Sequence, residues 1–244
     1  MKRIVLIVSL LLTFAQMRFG VAQAAVDRAE TMRQANDAYR QGRFDAAAEG
    51  YRALVADGVD DATVWYNLGN AYAQGDDVGR ARACYERALR LSPRDPDLRA
   101  NASSLHDRAV DHEPDEDLLT ASAHAFTRNE LAVVASAAWF ACCGSLALWL
   151  RRRSEGLAWS GAASAMLLVV AGGLLLVRVT EPARAVVVPG EVKLLNGPGR
   201  EYSVGVSLHA GTRIEVLASE GDWREVGAFH RVKGWVRAEQ IETI

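Results

Sequence analysis

LAVVASAAWFACCGSLALWL (131–150), RRRSEG (151–156) and LAWSGAASAMLLVVAGGLLLV (157–177) stand in succession near the middle of the chain. Each apolar run is about 20 residues, which at about 1.5 Å per residue crosses a hydrocarbon core of about 30 Å. Neither run holds an acid or a base. The connector is too short to be a domain, so the pair is predicted to be a membrane hairpin. An arginine at mid-bilayer costs about 2.5–3.5 kcal/mol, which puts Arg151-Arg152-Arg153 outside the core. Short loops rich in Lys and Arg stay cytoplasmic. The regions on both sides of the hairpin are then expected in the opposite compartment.

The amino terminus agrees with that topology. Lys2 and Arg3 precede an apolar centre, Ile4–Leu12, and Ala22-Gln23-Ala24 has the A-x-A form of a cleavage site. Residues 1–24 read as a secretory signal peptide cut after Ala24, with an uncut anchor as the alternative. The net charge of −2 gives no global bias towards nucleic acid, and no nucleic-acid partner is expected. Cys142 and Cys143 lie in the first span, and Cys84 is alone outside it. No intramolecular disulfide framework is therefore available to the exported regions.

Before the hairpin the chain repeats itself. Ala62–Asp95 opens A-T-V-W-Y-N-L-G-N-A-Y and later carries Ala81, Tyr85, Ala88 and Pro93. These residues, with Trp65, Leu68, Gly69 and Tyr72, occupy the signature positions of the 34-residue tetratricopeptide repeat. Gly69 and Ala81 are small where the two helices of a repeat cross. Trp65, Leu68, Tyr72 and Tyr85 fill the groove between those helices, and Pro93 stops the second helix. One repeat length earlier, Arg28–Asp61 shares the register without a gap: Ala35, Asn36, Ala47, Tyr51 and Leu54 fall on Gly69, Asn70, Ala81, Tyr85 and Ala88. A partial third copy starts at Pro96, with Asn101 matching Asn67. An all-α repeat domain over 25–110 is expected, close to the smallest array that buries a shared core.

The first helices of such an array line its concave face. The polar candidates for partner binding there are Arg33, Asn36, Tyr39, Arg40, Tyr66, Asn67, Asn70 and Asn101. An Asn amide both donates and accepts, which suits an extended peptide backbone, and Arg pairs with carboxylates. Asn67 and Asn70 also belong to the repeat consensus, so bonding inside the repeat is the competing reading.

Residues 111–130 read as a linker with a helix lying along the membrane surface. Asp111–Asp117, D-H-E-P-D-E-D, is charged and broken by Pro114, and is expected to be solvated. His112 sits beside Glu113 and Asp115, but nothing fixes a ligand set, and no metal or cofactor is expected. Leu118, Leu119, Ala123 and Phe126 follow at helical spacing. In the spans, Ala141/Ser145 and Gly161/Ala165 are small residues four apart, suited to tight packing.

After Val177 the pattern changes to short β-rich segments separated by turns. They are Ala185–Val188, Val192–Leu195, Val204–Leu208, Thr212–Ala218, Trp223–Val226 and Gly234–Val236. Asn196-Gly197-Pro198-Gly199, Ala210-Gly211 and Glu220-Gly221-Asp222 are among the turns. A small all-β barrel over 183–244 is predicted. Its markers, N-G-P-G, Leu208-x-x-Gly211, Gly221-Asp222-Trp223 and Gly234-Trp235-Val236, resemble the bacterial SH3-like domain. That family's first turn usually reads R-S-G-P; Leu195-Asn196 stands in its place here. Trp223 and Trp235 are expected in the barrel core and rim.

The order of signal, repeats, membrane hairpin with a basic inner loop, and SH3-like domain resembles the BatE-like family of the aerotolerance operon. The likeness rests on Trp65–Tyr72, Ala81–Leu89, Pro93, Asn101, the paired spans, Leu208–Gly211, Asp222–Val226 and Gly234–Val236. It implies a place in the bacterial inner membrane, with both soluble domains periplasmic. It also implies work beside membrane-bound von Willebrand factor A domain proteins and a MoxR-type ATPase.

Three function classes remain. The first is a scaffold binding partner proteins of an envelope stress complex. The second is a module contacting peptidoglycan through the barrel, and the third is an enzyme. Catalysis is not expected. No His sits in a metalloprotease spacing, no Ser or Cys has a nucleophile elbow, and no phosphate-binding loop appears. His106, His112, His124, His209 and His230 read most simply as surface groups.

Overall fold

The computed structural model describes residues 25–107, 110–111, 116–199, 201–228 and 232–244. The expected signal peptide, His112 and His230 lie outside them. The chain forms two compact units, one ending at Asp77 and the other running from Val78 to the carboxyl end. The boundary falls inside the stretch expected as one repeat domain, 25–110. The cause is local to the second unit: the helix that starts at Val78 packs on the C-terminal sheet as well as on the helix that follows it.

In the first unit α1 (residues 25–40), α2 (Phe44–Ala56) and α3 (Ala62–Gln74) follow one another through tight turns. Gly42, at φ 72°, takes the left-handed conformation that ends α1. A Cβ on Gly50 would lie 2.8 Å from the Ala35 Cβ, so α1 and α2 cross at these two small residues. Tyr51 and Leu54 are buried on α2, and Val64, Trp65, Leu68 and Ala71 on α3. Asp61 caps α3 by accepting from the Thr63 amide at 2.8 Å. The buried Trp65 donates its indole N–H to Asp60 Oδ1 at 2.8 Å.

The second unit begins with α4 (Val78–Leu91) and α5 (Pro96–Asp107). Residues 81–85 of α4 are all buried, Cys84 among them, which is more than one amphipathic stripe. One face meets α5, and another meets the sheet. α6 (Leu118–His124) packs on α8, the second of two long apolar helices. These are α7 (Arg128–Arg152) and α8 (Glu155–Thr180), with mean hydropathies of 2.0 and 2.2. Only 17% and 11% of their most apolar stretches are buried, whereas a soluble core helix of this hydropathy would be mostly buried. Phe140, Leu146, Trp159, Met166 and Val169 are among the exposed side chains. The pair is therefore compatible with a membrane anchor.

Both helices outrun the apolar spans read from the sequence, so the connector shrinks. Arg151 and Arg152 join α7, and Glu155 and Gly156 join α8. Arg153 turns the chain at φ 49° and stacks over Trp149, 4.4 Å from the ring centroid. Thr127 and Glu130 form a reciprocal capping box at the start of α7. The Arg128 guanidinium donates to the Arg178 carbonyl at 2.7 Å, joining the first turn of α7 to the last turn of α8. Nearer the turn, Ser160 Oγ lies 3.1 Å from Ser145 Oγ, and a Cβ on Gly161 would sit 3.5 Å from the Ser145 Cβ. The chain thus enters and leaves the hairpin at one end.

The carboxyl-terminal part is an antiparallel all-β domain of the SH3-like kind. Its strands are β1 (Ala183–Val187), β2 (Glu191–Leu195), β3 (Val204–His209), β4 (Arg213–Glu220), β5 (Trp223–Gly227), β6 (Lys233–Arg237) and β7 (Ile241–Thr243). They pair in the order β3-β2-β6-β5-β4-β1-β7. Val187, Val192, Leu194, Leu208, Ile214, Val226, Val236 and Ile241 form its core. Val192 and Leu194 point in while Glu191 and Lys193 point out, the period of a half-buried strand. Register shifts within β2 and within β4 bend the sheet round this core. Trp223 and Trp235 are half-buried, at its rim.

Candidate binding sites

In the first unit Asn36, Tyr39, Arg40, Tyr51, Asn67 and Asn70 line one cleft of about 120 Å³. The helical period explains the set. Asn36, Tyr39 and Arg40 share one face of α1, and Asn67 and Asn70 share one face of α3. Tyr51 comes up from α2 and donates its hydroxyl to Asn36 Oδ1 at 2.7 Å. That bond holds the Asn36 amide by its oxygen and leaves the NH₂ as its remaining donor. Tyr39 packs edge-on against Phe44, with ring centroids 5.5 Å apart. Burial pushes the Tyr39 and Tyr51 hydroxyls up in pKa, so both stay neutral donors.

The other three residues singled out from the sequence lie outside this cleft. Arg33, an exposed side chain, forks between Glu30, at 2.6 Å, and Asp37, at 3.0 Å. Tyr66 is half-buried on α3 beside Tyr39. Asn101 is on α5, in the second unit. From sequence Tyr51 reads as core, since it falls on the packing position of Tyr85. Its phenol reaches the cleft because a tyrosine has a polar tip on an apolar body.

The barrel carries a second cleft, of about 310 Å³, lined by Glu191, Lys193, Leu195, Trp223, Arg237 and Gln240. The Arg237 guanidinium lies over the Trp223 ring, 5.3 Å from its centroid.

Two expectations about charged residues are corrected. The acidic stretch is anchored at both described ends, not merely solvated. Asp111 accepts from the Thr212 hydroxyl at 2.6 Å and from the His209 amide at 2.8 Å. Burial works against its ionisation, yet these bonds and the His209 ring hold the Asp111 carboxyl below its usual value. Glu116 lies within 3.2 Å of both Arg184 and Arg213.

His124 is likewise no free surface group. Its Nδ1 is 2.8 Å from Glu116 and its Nε2 is 2.7 Å from Glu181. No sequence periodicity signals these pairs: Glu116 and His124 are eight positions apart, off any helical spacing that joins them, and the others join residues 57 or more apart. His106, on α5, is 3.4 Å from Arg82.

Two family models match the chain. Residues 32–96 match a tetratricopeptide repeat and residues 188–242 a bacterial SH3 domain. No curated protein matches it. Both matched domain types are typically non-catalytic interaction modules, and no enzyme family is indicated. The chain thus combines a tetratricopeptide-like helical region, two helices able to span a membrane, and a bacterial SH3-like domain.

Proposed function

We propose that this protein is a non-catalytic, membrane-anchored scaffold whose repeat helices and SH3-like domain bind partner proteins of an envelope stress and aerotolerance complex. The observation that carries the reading is the amide- and phenol-lined cleft of α1, α2 and α3. Asn36, Tyr39, Arg40, Asn67 and Asn70 offer donors and acceptors at one opening, a chemistry suited to an extended peptide with an acidic side chain. In this reading Arg33 and Tyr66 extend the binding face of the first unit, and Asn101 offers a further amide on the second unit. The resemblance to the BatE-like family nominates membrane-bound von Willebrand factor A domain proteins and a MoxR-type ATPase as the partners. It also nominates the bacterial inner membrane as the site, with both soluble parts periplasmic. The bilayer itself is held by α7 and α8.

The test is affinity capture in mild detergent with the intact chain and with Arg40→Ala/Asn67→Ala. Both positions line the cleft, and Arg40 is exposed, so the fold tolerates the change. Loss of specific partners in the double variant supports the reading; an unchanged partner set contradicts it.

A second reading, a peptidoglycan-binding module, is favoured by one feature of the barrel. Trp223 with Arg237 over its face, beside Gln240 and Glu191, offers a stacking surface rimmed with hydrogen-bonding groups. Retention of the intact protein on purified sacculi, lost in Trp223→Ala, would favour it; no retention would count against it.

A further inference from the structure

Where α4, α5, α6, the end of α8 and the barrel meet, the second unit encloses an open cavity of about 460 Å³, within the size range of ligand pockets. Its lining is strongly cationic: seven arginines face two carboxylates, Glu86 and Glu116. Those carboxylates are already shared. Glu116 lies between Arg184 and Arg213, and Glu86 is 3.8 Å from Arg82 and 3.6 Å from Arg213.

One deeply buried cation is not fully satisfied. Arg178 is 3% exposed, and its Nε has no hydrogen-bond partner among the described residues. The nearest carboxylate, Glu181, stands off at 3.7 Å from Nη1, and that oxygen, Oε2, is itself buried without a hydrogen-bond partner among the described residues, so the pair offsets the charge but leaves Nε open. A buried donor without a partner is costly, and a buried cation more so. Arg90, which lines the same cavity, has its pKa lowered, first by burial and then by the charges of Arg178, Arg128 and Arg184. Seven arginines are thus crowded at one cavity, where Glu86, Glu116 and the flanking Glu181 and Glu130 offset only part of the charge. An anion would relieve both the crowding and the orphaned donor.

Position narrows the choice of anion. Arg178 is in the last turn of α8, and Arg128 in the first turn of α7. When the hairpin spans a bilayer, this end lies at the level of lipid headgroup phosphates. Several guanidinium forks lining one cavity suit a tetrahedral oxyanion, whose oxygens can each accept from a different fork.

We propose that this cavity binds a phosphate group, presented by an anionic lipid headgroup or by a soluble phosphate. The proposal does not depend on the scaffold reading. The test uses the purified full chain in two arms. In detergent, inorganic phosphate is titrated against chloride at matched ionic strength and followed by phosphorus NMR. In nanodiscs, phosphatidylglycerol is set against phosphatidylcholine, and retained lipid is measured by native mass spectrometry.

The variants are Arg90→Gln and Arg99→Gln. Arg90 also donates to the Ile244 carbonyl, at 2.7 Å. Arg99 is exposed at the cavity mouth, so its loss leaves the fold intact. The expected result is binding in one arm, weakened about tenfold by Arg90→Gln and severalfold by Arg99→Gln. Binding of inorganic phosphate identifies a soluble ligand, and retention of phosphatidylglycerol alone identifies the lipid. No selective binding in either arm, or binding unchanged in both variants, overturns the proposal.

Discussion

Arg82 of α4 donates from Nη1 to the carbonyl of Gly211 at 2.6 Å, joining a repeat helix to a barrel turn 129 positions along the chain. The guanidinium is buried, and the turn needs Gly211 because its φ is 87°. The same seam is closest at Gly79, where an added Cβ would lie 2.6 Å from the carbonyl oxygens of Val187 and Val188. Arg87 reaches the Thr243 carbonyl and Glu242, and Arg90 the Ile244 carbonyl. The helix is therefore bonded to the end of β7 as well as to the turn before β4.

Gly79→Ala should open this seam. Backbone carbonyls cannot yield as a side chain does, so the cost should be about 1–3 kcal/mol, as for overpacking. The Gly211 amide donates to the Val187 carbonyl at 2.8 Å. Hydrogen exchange at Gly211 should therefore quicken in the variant while exchange within α2 is unchanged. Unchanged protection at Gly211 would remove the seam from the account.

The two partners at the cleft should respond unequally. Asn36→Ala leaves the buried Tyr51 hydroxyl without its acceptor and should cost about 1–3 kcal/mol. Tyr51→Phe removes the hydroxyl and leaves a half-exposed amide that water can satisfy, for about 0.5–1.5 kcal/mol. Thermal unfolding of the two variants, compared by far-ultraviolet circular dichroism, checks the order. A larger loss for Tyr51→Phe would contradict the assigned roles.

Gly161 is predicted to accept one methyl and no more. Its Cβ would meet the Ser145 Cβ at 3.5 Å, an ordinary van der Waals contact. Gly161→Ala should leave the hairpin intact, whereas Gly161→Leu should push α7 and α8 apart. A Cys pair placed at Ser145 and Ser160 should cross-link readily in the Ala background and poorly in the Leu background. Equal cross-linking in both would contradict the packing.

Acid should loosen the α6–barrel contact. The His124 hydrogen bond, chiefly, lowers the Glu116 pKa; burial opposes it, and the charges of His124, Arg213 and Arg184 add to the lowering. Together they take the group from 4.5 to about 2. A carboxyl held lower when folded stabilises the fold above its unfolded pKa. That stabilisation should be whole above about pH 4.5, fall steadily below it, and be gone below about pH 2. Unfolding of the detergent-solubilised chain should show this slope, and Glu116→Gln should flatten it. An equal slope in both proteins would dismiss the bridge.

The repeats, the spans and six of the seven strands were legible because each is set by local periodicity. Trp65, Leu68 and Ala71 recur at helical spacing, and Val192 and Leu194 alternate with polar residues. The short β7 was not read, since Ile241–Thr243 carries too few residues to show alternation. Five cleft residues were legible for the same reason as the helices: one face of α1 and one of α3 place them. Tyr51 was legible as core but not as a cleft residue, since its role depends on where its hydroxyl ends. The Arg82–Gly211 seam, the Asp111 anchor and the Glu116–His124–Glu181 bridge had no such signal. They depend on tertiary placement, and a charged residue in an acidic stretch looks the same in sequence whether water or arginine surrounds it.

The proposed scaffold requires a hairpin whose basic turn at Arg151–Arg153 stays inside the cell, with α1–α6 and the barrel outside. It is tested most directly by alkaline phosphatase joined after Ile244 through a flexible linker in living cells. The account predicts an active phosphatase there and a dark green fluorescent protein at the same position. An inactive phosphatase with a bright fluorescent fusion would contradict it.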